Sequence, residues 1–132
     1  MYYETTVRHE IVKPDGTTKE GNEKLIVRTC NTFAEAELRS LQHIEDGDVI
    51  AIKQSNLREF ANDPIDDADI YFATIEDTFV SDLGDEKTTK YKVALYAKST
   101  TEANKVVNEF MKQGLNDMKC TEIKKTNFTE QI

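Results

Sequence analysis

Two histidines, His9 and His43, and two cysteines, Cys30 and Cys120, are the side chains in this 132-residue sequence best suited to nucleophilic or proton-transfer chemistry near neutral pH. Cys30 precedes the first expected helix, whose N-terminus would favour its thiolate, and His9 across the adjoining hairpin would be its base. The simpler reading, a small semi-buried cysteine and a surface histidine, is preferred, so no catalytic residue is assigned. Asp63, Asp66, Asp67 and Asp69 offer oxygen ligands, but their spacing lacks the glycine and closing glutamate of a calcium loop. With no His/Cys cluster there is no zinc pattern either, and no metal site is assigned. The five glycines, at 16, 21, 47, 84 and 114, fall in expected turns or helix exits. None forms a phosphate-cradling loop, which excludes the common ATPase and dinucleotide-binding mechanisms, and no cofactor is expected.

The least ordinary chemistry lies in a repeated segment. Ile52-Lys53-Gln54-Ser55-Asn56-Leu57-Arg58-Glu59 recurs as Ile123-Lys124-Lys125-Thr126-Asn127-Phe128-Thr129-Glu130, 71 residues on. Lys53 and Lys124 offer charge, and Asn56 and Asn127 offer amide donors and acceptors. Set about a pseudo-twofold axis, these four would grip a small anionic ligand and are the candidate binding residues. The plainer alternative is that each asparagine ends a strand in a turn. Tyr2, Tyr3, Tyr71, Phe72, Tyr91 and Tyr96 could stack on bases, but aromatic residues in strands more often build core.

The elements that must position these residues also repeat. Tyr2-Tyr3-Glu4-Thr5 matches Tyr71-Phe72-Ala73-Thr74 at a spacing of 69, and Thr32–Ala36 matches Ser99–Ala103 at 67. Each half reads strand–strand–helix–strand. In the first, Tyr3–Val12 turns at Lys13-Pro14-Asp15-Gly16 and returns through Leu25-Ile26-Val27. Thr32 caps a helix with Glu35 as reciprocal partner, and Leu38, Leu41 and Ile44 beside Ala34 form its expected apolar stripe. A third strand follows at Val49–Ile52. In the second half, strands at Tyr71–Val80 and Tyr91–Tyr96 flank a turn at Leu83-Gly84-Asp85. Ser99 caps a helix that carries Ala103, Val106, Val107, Phe110 and Met111 and exits at Gly114, before a strand over Met118–Lys125. One such unit leaves its sheet and helix stripe half covered, so the expectation is one pseudo-symmetric α+β domain over residues 1–132, with antiparallel sheets and two helices. Its repeats span 1–60 and 70–132, joined by an acidic connector at 61–69.

Charge narrows the partners. The chain has 17 basic and 25 acidic residues, a net −8, and half of that excess sits in residues 61–69. Such a surface repels phosphate backbones, so duplex nucleic acid is disfavoured, and no apolar run is long enough to span a bilayer. The N-terminus lacks a secretion signal and two cysteines make no disulfide framework, so a cytoplasmic, reduced protein is expected.

Tyr3-Glu4-Thr5-Thr6-Val7-Arg8, followed by a hairpin and then by Val27-Arg28-Thr29 and Thr32-Phe33-Ala34-Glu35-Ala36-Glu37, resembles a family known as an uncharacterised domain of unknown function. The family occurs in anaerobic gut bacteria and their phages, and the similarity extends to Tyr71-Phe72 and Ile123-Lys124. It implies cytoplasmic expression and a phage association, and supplies no catalytic residues. The functional expectation is a non-enzymatic small binding module; in its concrete form, a phage counter-defence protein that sequesters a host nucleotide signal. The alternative is a protein–protein interaction or scaffolding protein, a homodimer or other homo-oligomer, acting through exposed sheet edges or a helix face.

Overall fold

The computed structural model describes residues 1–114 and 117–132. It is an α+β fold in which each half adds a short fourth strand to the three expected. The first half runs β1 (Tyr2–Val12), β2 (Thr18–Val27), α1 (Phe33–His43), β3 (Asp48–Ser55) and β4 (Leu57–Phe60). The second runs β5 (Asp69–Val80), β6 (Glu86–Ala97), α2 (Thr100–Lys112), β7 (Asp117–Lys125) and β8 (Phe128–Gln131).

The chain divides into two compact units whose limits differ from the expected repeats. One comprises Met1–Ser55 with Asn127–Ile132, the other Asn56–Thr126. The reason lies in the short strands. The sheet of the first unit has the order β3-β1-β2-β8, and that of the second has the order β4-β6-β5-β7. Thus β4 leaves the half that encodes it and pairs with β6, while β8 pairs with β2. Both of these pairings are parallel, and all others are antiparallel. Mapping β1, β2, β3 and β8 onto β5, β6, β7 and β4 turns one strand order into the other.

Register makes the correspondence residue by residue. Tyr3 pairs with Val27 as Tyr71 pairs with Leu95, and Val7 with Glu23 as Ile75 with Tyr91, an offset of 68 throughout both hairpins. The sequence match at 69 is therefore corrected by one. An offset of 69 would place Tyr2 on Tyr71 and exchange the two faces of the sheet. Gly16 and Gly84, with φ of +87° and +84°, hold the same place in the two hairpin turns. The bulge between Thr6 and Val7 recurs between Thr74 and Ile75. The end strands keep the offset of 71, since Thr5 pairs with Ile52 and Ala73 with Ile123.

Both helices start as the sequence predicts. Glu35 N–H donates to Thr32 Oγ1 at 3.1 Å, and the Glu35 carboxylate accepts from Asn31 N–H at 3.2 Å. Ser99 and Glu102 repeat this capping box, with Glu102 N–H to Ser99 Oγ at 3.2 Å and Lys98 N–H to Glu102 Oε2 at 2.9 Å. Of the expected apolar stripe of α1, only Ile44, at the helix's C-terminal end, is buried. Ala36 and Ser40 are buried, whereas Ala34, Leu38 and Leu41 are exposed, Leu38 by 57%. Small residues let the helix backbone approach the sheet, and larger ones on that face would hold it away. In α2 the matching positions are Ala103 and Val107.

The first unit's core gathers Tyr3, Val27, Cys30 and Ala36, with a neighbouring cluster of Val7, Leu25 and Ile44 and with Ile132 packed on both. The second unit's core holds Tyr71, Ala73, Ile75, Val93, Leu95, Ala103 and Val107 beneath α2. Residues 61–68 carry β4 towards β5 within the second unit. There Asn62 Nδ2 donates to Tyr96 O at 2.9 Å and Asn62 Oδ1 accepts from Tyr96 N–H at 2.8 Å, so one side chain takes the place of a ladder rung.

Candidate functional site

The second unit holds a cavity of about 300 Å³ where the C-terminal end of α2 meets the sheet. Its lining comes from four strands and the helix. β4 supplies Arg58 and Glu59, β5 Asp77, β6 Tyr91, and β7 Met118, while Phe110 and Gln113 close it from the helix end. Period-2 alternation explains the β5 contribution. Tyr71, Ala73 and Ile75 face the helix and are buried, and Asp77, two residues on, emerges from the same face at the rim.

Arg58 lies over the Tyr91 ring, its guanidinium carbon 4.3 Å from the centroid, a cation–π contact between two lining residues of the cavity. The Tyr91 hydroxyl donates to Met118 Sδ at 3.8 Å. Burial pushes the Tyr91 phenol above its ordinary value; Asp77 and Glu59 add to the rise, and Arg58 opposes it. Tyr91 therefore stays neutral and available as a flat stacking surface. Asp77 Oδ1 is buried and has no hydrogen-bond partner. A carboxylate oxygen is an acceptor only, so what this position lacks is a donor.

The corresponding place in the first unit carries a different set of side chains. By the offsets of 68 and 71, His9 stands for Asp77, Glu23 for Tyr91, Thr129 for Arg58 and Glu130 for Glu59. His9 Nε2 lies 3.0 Å from Glu23 Oε2 without making an aligned hydrogen bond. Thr129 Oγ1 donates to the other Glu23 oxygen at 3.1 Å, and Glu130 pairs with His43. One scaffold thus carries two versions of the place, with His9 Nε2 beside Glu23 in the first unit and Asp77 Oδ1 near Arg58 and Tyr91 in the second, each a buried atom without a hydrogen-bond partner.

The residues nominated from sequence lie elsewhere. Lys53 is on β3, Lys124 on β7, and all four candidates are exposed. Asn56 and Asn127 occupy the short crossings at which the chain passes from one sheet to the other. In the first unit Lys53 and Asn127 belong to opposite sheet edges, with β1 and β2 between them, a separation of roughly 14 Å at the usual strand spacing. Lys124 and Asn56 are split in the same way in the second, so neither unit gathers a Lys–Asn pair. Cys30 and His9 are also kept apart. Cys30 N–H bonds Met1 O at one end of the β1–β2 hairpin, while His9 pairs with Gly21 towards the other. Cys30 is buried, its Sγ directed to Thr32 O. Among the described residues, no group of three or more His, Cys, Asp or Glu is placed to hold a metal ion, and no helix is long and apolar enough to cross a membrane.

Sequence reasoning named Tyr91 among the aromatics but missed Arg58 and Asp77. A signal was present: the repeated segment changes charge at two places, Gln54 against Lys125 and Arg58 against Thr129.

All of residues 1–132 match the model of a family described as a domain of unknown function, DUF4494, and the chain belongs to that family. No curated protein and no solved structure matches it.

Proposed function

We propose that this DUF4494 protein is a non-enzymatic binding module whose second unit takes the base of a nucleoside or nucleotide. The observation that carries the reading is the unpartnered Asp77 Oδ1 beside the stacked Arg58–Tyr91 pair. A planar heterocycle stacks on such a pair. A base edge with two adjacent N–H groups, as in guanine, satisfies a carboxylate in a bidentate manner. The lining sets one cation, Arg58, against two carboxylates, Asp77 and Glu59, so its negative excess suits a donor-rich base better than a phosphate. A phosphate would project outward.

On this reading, sequestration of a host nucleotide signal by a cytoplasmic phage counter-defence protein is the biological form. The test is calorimetric titration with guanosine, adenosine and cytidine and with cyclic and ADP-ribose-type nucleotides. The expected result is saturable heat strongest for guanine-bearing ligands, lost in Asp77→Asn and weakened at least tenfold in Arg58→Ala. Flat traces across the panel overturn the proposal. A scaffolding role is the second reading, favoured by the exposure of Phe33, Leu38 and Leu41 on α1.

A further inference from the structure

β7 forms an outer edge of the second unit's sheet, with β5 on its inner side. Along it run Asp117-Met118-Lys119-Cys120-Thr121-Glu122-Ile123-Lys124-Lys125. The ladder to β5 pairs Glu76 with Lys119, Ile75 with Cys120 and Thr74 with Glu122, so Thr121 is the extra residue of a bulge. The bulge changes which side chains share a face. In a regular strand, residues three apart point to opposite faces. Here Lys119 and Glu122, three apart, oppose Glu76 and Thr74, which are two apart and on one face. By the same count Met118 and Ile123 share the helix-covered face, and Asp117 shares the other with Lys124.

We propose that β7 is a self-complementary edge that pairs antiparallel with β7 of a second copy of this chain. The register that centres the twofold axis on the bulge sets Asp117 against Lys124, Met118 against Ile123 and Lys119 against Glu122. Each pair occurs twice by symmetry and each lies on a common face. Two opposite-charge pairs and one apolar pair on each side of the axis are the contacts that cross-strand pairing rewards. Without the bulge, no register with these charge pairs would keep partners on one face. The counterpart edge in the first unit lacks the pattern, since the same register on β3 would set Asp48 against Ala51. The remaining edge strands, β4 and β8, have four residues each.

The test is light scattering on the full chain over a concentration series, with circular dichroism to confirm folding. The expected mass is twice 15.1 kDa at high concentration. K119E sets like charges together twice across the axis and E122K does the same, so each is expected to weaken association at least tenfold. The double variant K119E/E122K recreates the opposite-charge pairs and restores the dimer. D117K, K124D and their combination repeat the logic at the outer pair, should either inner variant fail to fold. A monomer at every concentration overturns the proposal, and so do single variants that associate as well as the parent. Disruption by both single variants without rescue by the double overturns the register and the proposal with it. These readouts involve neither Asp77 nor Arg58, so failure here is separate from failure of the ligand reading.

Discussion

Thr5 Oγ1 and Ser40 Oγ share a 2.8 Å hydrogen bond between β1 and α1, with both residues almost wholly buried. The positions that correspond in the second unit are Ala73 and Val107, also buried and packed in one core. One place in a common scaffold is therefore polar in one unit and apolar in the other. Removing one member of such a pair strands the other, at about 1–3 kcal/mol, whereas replacing both by apolar groups of like shape is close to neutral. Thr5→Val and Ser40→Ala are each expected to destabilise by about that amount, and the double variant by clearly less than their sum. Urea denaturation measures this, and strict additivity would show that the bond is not formed.

The two capping boxes make a matched experiment. Thr32→Ala and Ser99→Ala each remove the acceptor for the N–H of the third helical residue, and each is expected to cost about 1 kcal/mol. Equal losses in denaturation midpoint are expected from the equal geometry. A loss confined to one helix would mean that the other cap is idle.

The face that α1 buries can be read from substitutions. Leu38→Lys lies on the exposed side and is expected to change stability by no more than about 0.5 kcal/mol. Ala36→Leu forces added volume between helix and sheet and is expected to cost about 1–3 kcal/mol or more. The reverse ranking in thermal or urea unfolding would put the leucines in the core.

Tyr91 provides the pH dependence. Its pKa is raised in the folded chain, chiefly by burial, from an ordinary 10.0. A raised phenol favours the protonated folded form, so its contribution to stability is intact below pH 10 and is lost as pH rises through the folded value. Absorbance titration of the parent against Tyr91→Phe isolates the group. Asp77→Asn is expected to lower the Tyr91 pKa by removing a neighbouring negative charge, and Arg58→Ala to raise it. A titration that neither substitution moves would place these side chains away from the ring.

Asp77→Asn also separates binding from folding. The carboxylate gives the fold no hydrogen bond through its buried oxygen, so the substitution is expected to leave the urea midpoint unlowered while it abolishes binding of the base. A large loss of stability would instead make Asp77 a structural residue.

Much of the fold was legible because the signals are local. Thr32 with Glu35 and Ser99 with Glu102 mark helix starts through atoms at most four residues apart, and Gly16 and Gly84 mark turns through their own backbone angles. The apolar stripe of α1 misled because Leu38 and Leu41 dominate a hydropathy pattern, whereas close helix–sheet packing selects Ala36 and Ser40 by size. The cavity was hidden because Arg58, Asp77 and Tyr91 come from three strands, and their meeting depends on pairings that no single segment announces.

By itself the chain's order of residues determined the α+β class, the hairpins and both helices, since each follows from chemistry within a few residues. Only the tertiary structure decided where Leu57–Phe60 and Phe128–Gln131 go. A four-residue strand carries the same backbone donors and acceptors whichever edge receives it. Its destination is therefore set by the strand that completes a ladder with it, β6 for Leu57–Phe60 and β2 for Phe128–Gln131, and those partners lie far away in the sequence.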